Sequence, residues 1–559
     1  MRLIHCREMR LVPFIGDNIP PYAILSHTWR EGEVTYEDFG TPAAEFMAGW
    51  YKIQQTCKTA WSQGIEYAWV DTCCIDKSSS AELSEAINSM FQWYARSAIC
   101  YAFLEDVFIG GELDPKLLDR SRWMSRGWTL QELIAPHTVV FFNRLWQPLK
   151  TREELSLGLS WTTGIPCEIL QRNGANIDDL LRLVPVCQKM CWASKRQTTR
   201  IEDTAYCLMG LFGINMPLLY GEGSKAFIRL QEEIIRHNND LTIFAWRAEV
   251  STTFAGAAYT FEEQTHTSHQ MTDAEAVRGL LAQSPREFGD AKFIEPKASA
   301  YNQEYTITNK GIRITLINIL PEDNSSNFLM NLYCHDRRFN AIVRRVLTIF
   351  IRHIGGGIFV RVRPEILHDV FPFKYAESLA TDLYLATSVT AATMASLQTV
   401  QYDAIRIPST AGPSFQLQHV VPRLQIESNS GLFITRGFLN AVGYATYCYS
   451  GGRRDQERCD LVVFFGLDQY STPWYCVTSP DVYPSFNHER WAQEENLKRH
   501  SLDAQFRGKS ECELRIVDAP GISRFINVKG GFNRIDQIWD LSLEIVSTGR
   551  RSGSLVMPT

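Results

Sequence analysis

The sequence predicts an α/β domain on a doubly wound parallel sheet, carrying a helical extension and followed by a β-rich, sandwich-like half. Three observations predict it. Across roughly the first 145 residues, apolar runs of strand length alternate with longer amphipathic stretches, the signature of βαβ units with right-handed crossovers. Further on, Phe227, Leu230, Ile234 and Ile235 recur at helical spacing. Beyond residue 295 the apolar runs become short and β-rich, separated by Gly, Pro, Asn and Asp.

Taken in order, the amino terminus, MRLIHCREMRLVPF, breaks its apolar residues with charge too often to form a signal-peptide core. No apolar run approaches the ~18 residues that span a bilayer, so a cytoplasmic chain without a membrane span is expected. Residues 22–29 (YAILSHTW) read as a first, buried strand. Phe46, Trp50, Ile53, Cys57 and Trp61 follow at spacings that place them on one helical face. Residues 66–76 (EYAWVDTCCID) give a second strand, and Ser80 is placed to cap a helix that buries Leu83, Ile87, Met90, Phe91 and Tyr94. Residues 98–106 (AICYAFLED) give a third strand. After an insertion of about twenty residues, residues 137–143 (HTVVFFN) give a fourth.

Composition removes several function classes. With 62 acidic against 56 basic residues and a formal charge of -6, the chain lacks the cationic surplus that binds phosphate backbones, and no nucleic-acid partner is expected. Its 14 cysteines are scattered, with Cys73 and Cys74 adjacent and Cys187 and Cys191 the other close pair. That usage fits a reducing compartment and neither a disulfide framework nor a zinc knuckle, so no metal is expected. YGEGSKAF, residues 220–227, lacks the spacing of a phosphate-binding loop and reads as the cap of the helix that follows.

Ligands of an open parallel sheet bind outside the carboxyl ends of its strands, where neighbouring connections leave to opposite faces. If the first and third strands are neighbours, as in the flavodoxin-like order, then Ser26, His27 and Trp29 face the segment after the third strand. That segment contains RGWTLQELIAP, with Arg126, Trp128 and Glu132. Asp71 and Asp76 bracket the end of the second strand, where either can bind a ribose hydroxyl or cap the serine-rich turn. Position alone leaves Glu132 two roles: a carboxylate lining a crevice, or a solvated helix residue paired with Arg126 or Arg122. A cysteine hydrolase, with Cys73 or Cys74 activated by His27, is a further alternative, against which stands the tendency of free cysteine to be buried and inert.

Three blocks, PPYAILSHTWREGEVTYEDF, AWVDTCCIDKSSSAELSEAINSMFQWYARSAICYAFLEDV and SRWMSRGWTLQELIAP, resemble the fungal heterokaryon-incompatibility (HET) domain in order and spacing. Residues 200–246 resemble the extension that follows many such domains. The layout is similar, more distantly, to the Toll/interleukin-1 receptor (TIR) fold, whose Trp-Cys-Leu-x-Glu-Leu motif is matched by Trp128, Thr129, Leu130, Gln131, Glu132 and Leu133. Thr129 stands in place of the cysteine, and the insertion before the motif is longer. The resemblance implies a TIR-like sheet that cleaves the nicotinamide–ribose bond of NAD, with NAD as substrate and no cofactor. It implies Glu132 as the catalytic carboxylate and Ser26, His27, Trp29, Asp71, Arg126 and Trp128 as substrate-binding residues. Self-association and a role in nonself recognition and regulated cell death are implied as well. A non-enzymatic TIR-like assembly module is the alternative.

The expected organisation is an α/β domain over 1–150, a helical extension over 151–260, a linker over 261–295, a β-rich recognition domain over 296–545 and a flexible tail over 546–559. The β-rich half carries no catalytic constellation and is expected to recognise a protein trigger.

Overall fold

The computed structural model describes residues 1–249 except 17 and 109–113, residues 277–297, and segments between 304 and 548. Residues 549–559 of the expected tail and 261–276 of the expected linker lie outside these. A seven-stranded sheet organises the amino-terminal part: β1 (Arg2–His5), β2 (Arg10–Pro13), β3 (Tyr22–Ser26), β4 (Tyr67–Trp69), β5 (Ile99–Phe103), β6 (Val139–Phe142) and β7 (Pro148–Thr151). Its order is β2-β1-β4-β3-β5-β6-β7. The central strands β4, β3, β5 and β6 are parallel and correspond to the four expected strands, each shorter than its apolar run. The first expected strand, β3, lies between the second and the third. The edges are antiparallel, supplied by the β1–β2 hairpin and by β7, so the sheet is mixed.

The two faces are covered by different helices, α1 (Trp50–Ser62) and α2 (Ser80–Arg96). Tyr101 on β5 donates to Gln63 just beyond α1, while Tyr22 on β3 donates to the Trp93 carbonyl of α2. Leu25 pairs in register with Tyr101, and Ser26 with Ala102 one residue on, so Ser26 belongs to the α2 face. The cap of α2 is Ser79 rather than Ser80: its hydroxyl accepts from the Glu82 backbone N–H. Ile87, Met90, Phe91 and Tyr94 are buried as expected, with Ala86.

The face of α1 departs from expectation. Phe46 lies in a 3-10 turn ahead of the helix and is 91% exposed, and Trp61 is 42% exposed. The buried set is Lys52, Ile53, Thr56, Cys57 and Ala60. Lys52 can be interior because Glu33 pairs with its ammonium, whereas a tryptophan near a helix end can leave part of its ring in water.

After β5 the chain runs through α3 (Pro115–Asp119), α4 (Arg122–Ser125) and α5 (Thr129–Ile134) before β6. Short helices then follow, ending with Lys225–His237, which buries Phe227, Leu230, Ile234 and Ile235. In YGEGSKAF the Gly221 and Gly223 amides both donate to Glu202, a turn held by a carboxylate. Among the described residues no helix is long and apolar enough to cross a membrane.

The β-rich runs beyond residue 304 are strands, among them Val346–His353, Ile358–Val362, Leu461–Leu467 and Ile538–Thr548. Described residues of this half fall into two large cores and a small cluster of Phe350, Val360 and Val362 with Val277. Ile312, Ile349, Leu383 and Leu385 continue the core of the amino-terminal part, whereas Ile405, Phe433, Val463, Phe465 and Ile526 form another. That second core lies between a six-stranded and a five-stranded sheet, a sandwich over strands from Ala404–Arg406 to Ile538–Thr548.

Residues 277–295, expected within a linker, are packed. Leu280, Leu281, Ala282 and Phe288 are buried in the shared core, and Gln231 exchanges two hydrogen bonds with the Ala282 backbone. Across this junction Arg361, fully buried, donates to the Phe244 and Trp246 carbonyls and stacks on the Trp246 ring at 3.7 Å.

Candidate functional site

Glu132 sits on α5 and is only 5% exposed, so it is not a solvated helix carboxylate paired with Arg122 or Arg126. Its Oε2 accepts from the hydroxyl of Ser26 at the carboxyl end of β3, 106 residues away. The Ser26 oxygen in turn accepts from the Trp123 indole at 2.7 Å. Tyr94 of α2 lies against the same carboxyl and donates to the Leu25 carbonyl at 3.0 Å.

Beside this trio lies a second cluster. The His27 ring nitrogen Nε2 is 2.9 Å from Asp71 Oδ1, and the Trp29 indole donates to Asp71 Oδ2 at 2.7 Å. Trp29 is 42% exposed, with the Lys77 ammonium 3.5 Å from its ring centroid, and its carbonyl accepts from Arg122 at 3.0 Å. Asp76 stands apart, accepting from the Ser78 amide and hydroxyl as the capping role requires.

The two carboxyls are pushed in opposite directions. Burial dominates at Glu132; the Ser26 hydrogen bond, Arg196 and Arg126 oppose it, Asp71 adds to it, and the carboxyl is pushed up to about 8. Burial also penalises charge at Asp71, but His27, Lys77 and Trp29 together hold that carboxyl below its ordinary value. One protonated and one ionised carboxyl at the end of one sheet is a pattern found where acid and base roles are divided.

The expected binding residues Arg126 and Trp128 turn to other partners. Arg126 donates to Thr199 at 3.0 Å, and Trp128 hydrogen-bonds Asp203. Both therefore tie the motif to the helical extension, although Arg126 still acts on Glu132 through its charge.

α5 has only six residues, too few to hold itself, and arginines secure both of its ends, half-buried at the start and buried at the far end. At the start, Arg196 donates to the Arg126 carbonyl at 2.9 Å and to Thr129 Oγ1 at 2.8 Å. The Thr129 hydroxyl itself donates to the Trp123 carbonyl at 2.6 Å, which gives the residue standing in the cysteine position a local task. At the far end, Arg152 donates to the carbonyls of Leu133, Pro136 and His137 at 2.8, 2.9 and 2.8 Å, and Arg172 to that of Ile134 at 3.0 Å. Burial lowers all three guanidiniums to about 10.

Trp123, Arg152, Arg172 and Arg196 were not singled out by sequence. Trp123 stands in the quoted motif block, but the arginines bind backbone carbonyls and leave no spacing to read. The cysteines give no nucleophile. Cys73 and Cys74 are buried, burial pushes the Cys73 thiol well up, and His27 is engaged by Asp71. Among the described residues no cluster of three or more His, Cys, Asp or Glu side chains is placed to hold a metal.

Comparison with known proteins bears on this geometry. The family model for heterokaryon incompatibility protein (HET) matches residues 22–107, which include Ser26, His27, Trp29 and Asp71 and stop short of Glu132. A second model, described as a domain of unknown function (DUF8212), matches residues 225–327, running from the helical extension into the first strands of the β-rich half. The chain is 47% identical over 225 residues to vegetative incompatibility protein HET-E-1 of Podospora anserina, a match covering 39% of this chain and 16% of that relative. No solved structure matches. By the strands at the centre of its sheet and by this likeness, the chain carries a region, residues 22–107, similar to the heterokaryon incompatibility (HET) domain.

Proposed function

We propose that this protein acts in heterokaryon incompatibility as a death-inducing effector whose HET domain, TIR-like in its chemistry, cleaves the nicotinamide–ribose bond of NAD. The observation that carries the reading is the buried Glu132–Ser26 pair at the carboxyl end of the central parallel strand, beside Asp71, His27 and Trp29.

The chemistry suits a single carboxylate. Nicotinamide in NAD is a cationic leaving group that takes the electron pair of the C–N bond and departs neutral, so no acid need protonate it. Water adds to the ribosyl carbon and loses its proton, giving ADP-ribose. Glycosides with neutral leaving groups need two carboxyls for this displacement. Glu132, once ionised, offsets the charge developing on the ribose, an effect strongest in a site without water. The substrate's own cation favours that ionised form, so a carboxyl at about 8 in the resting protein is poised to lose its proton on binding. Trp29, half-exposed, offers a ring face for stacking, and Asp71 a ribose contact.

A second reading, a non-enzymatic assembly module, has one observation in its favour: at 5% exposure, Glu132 is covered in the resting chain. The enzymatic reading answers that self-association, triggered through the β-rich half, opens the site. The test is nicotinamide release from NAD by the purified full chain, dilute and then concentrated on a scaffold. The expected outcome is release that rises with clustering and vanishes in Glu132→Gln. A clustered chain that kills cells while leaving NAD intact would establish the assembly module instead.

A further inference from the structure

Away from Glu132, a cavity of about 720 Å³ opens between α2 and the helical extension. Its volume lies within the range of small-molecule sites. One wall is α2, with Phe91, Trp93 and Arg96; facing it are Arg182, Lys189 and Phe212. Three cationic side chains thus line the space, against one carboxylate, Asp178.

Lys189 has the least ordinary position. It is 5% exposed, yet among the described residues no carboxylate lies within ion-pair distance of it. Its ammonium donates to the Leu181 carbonyl at 3.1 Å and stands 4.7 Å from the Phe212 ring centroid. Burial lowers it to about 8, and only Asp240, at longer range, resists. Leaving a charge interior without a partner costs stability, which a bound anion would recover.

We propose that this cavity is a binding site for a small organic phosphate of nucleoside-monophosphate size, with Lys189 and Arg182 holding the phosphate and Phe212 and Trp93 packing its ring. The charges on the walls select an anion, and an ammonium plus a guanidinium suit a phosphate's three oxygens. Aromatic walls and the volume require more than inorganic phosphate to fill the space. The proposal stands independently of the NAD reading, since none of these residues touches Glu132.

The test is calorimetric titration of the full chain with AMP, ribose 5-phosphate and inorganic phosphate, together with thermal shift. The expected result is saturable AMP binding, weaker for ribose 5-phosphate and weakest for phosphate, and reduced roughly tenfold or more in Lys189→Met. Lys189→Met keeps the apolar stem, and thermal unfolding reports whether it folds; if it does not, Arg182→Gln, at an exposed position, decides by the same loss. No binding by any of the three compounds overturns the proposal. AMP binding that the decisive variant leaves unchanged overturns it as well, since it belongs to another site.

Discussion

At the scale of single residues, Glu132 concentrates the argument, because one buried carboxyl is asked to be both tolerated and used. In the unfolded chain it titrates near 4.5, and in the folded one at about 8. Between these values the folded state holds a proton that the unfolded state releases, so this group withdraws stability as pH rises, by at most about 1.4 kcal/mol per unit. Glu132→Gln should therefore flatten the stability–pH curve over that window and raise the melting temperature above pH 8, while Glu45→Gln, at an exposed position, should do neither. The same substitution should cut nicotinamide release by about 10² to 10³. For the parent, kcat/KM should rise with pH and level near 8, since it follows ionisation in the free protein, whereas kcat should turn at lower pH because the bound cation favours the carboxylate. A melting curve for Glu132→Gln that tracks the parent at every pH would show that the carboxyl is not held protonated. Part of this geometry was legible: the rule that ligands sit past strand ends brought Ser26 to Glu132 across 106 residues, whereas the Asp71–His27 contact was not foreseen. What escaped was physical in origin. Trp123 acts through one indole N–H, and Lys52 is interior only because Glu33 neutralises it, a pairing absent from any local pattern.

At the scale of elements, α5 is a helix made by its surroundings. Six residues cannot repay the cost of nucleation, and its last carbonyls would be buried without donors. Arg152 and Arg172 supply those donors from beyond β6, although each raises the cost of the other's charge. Arg152→Met should remove several charge-assisted hydrogen bonds at once and lower stability by about 3 kcal/mol or more, read as a fall in the urea midpoint. Arg152→Lys should recover little, because one ammonium cannot reach carbonyls arranged for a planar fork. Full stability in Arg152→Lys would assign the arginine an electrostatic role only. A second joint is steric. At Gly210, a Cβ would stand 2.2 Å from the Phe91 Cβ, so the short helix Met209–Phe212 meets α2 with no side chain between them. Gly210→Ala should force the two apart at a cost of about 1 to 3 kcal/mol, seen as a lowered melting temperature. These joints were not legible because a glycine or arginine that contacts backbone leaves no periodic trace, whereas the buried strand runs did.

At the scale of the whole molecule, the change from helical to β period near residue 295 was the clearest signal in the sequence, and with the polar stretch over 262–275 it led to an expected linker over 261–295. A change of secondary-structure type is not a change of core. Leu281, Phe288, Ile312 and Leu383 pack with the helices before them, Arg361 reaches back to the Phe244 and Trp246 carbonyls, and the match over residues 225–327 spans the same stretch. The two large described cores separate later, between Leu385 and Ile405. Two truncations distinguish the alternatives. A chain ending at residue 250 loses the partners of Phe244, Trp246 and Gln231 and exposes apolar surface of the helix Lys225–His237, so it should aggregate or bind hydrophobic dyes. A chain ending at residue 390 keeps that core entire and loses only the sandwich. It should melt cooperatively, near the parent's first transition, and retain any nicotinamide release. The measurement is calorimetry on both fragments beside the full chain. If the 250-residue chain melts cooperatively and the 390-residue chain does not, the core boundary lies where the composition changes, and the first strands of the β-rich half belong with the sandwich.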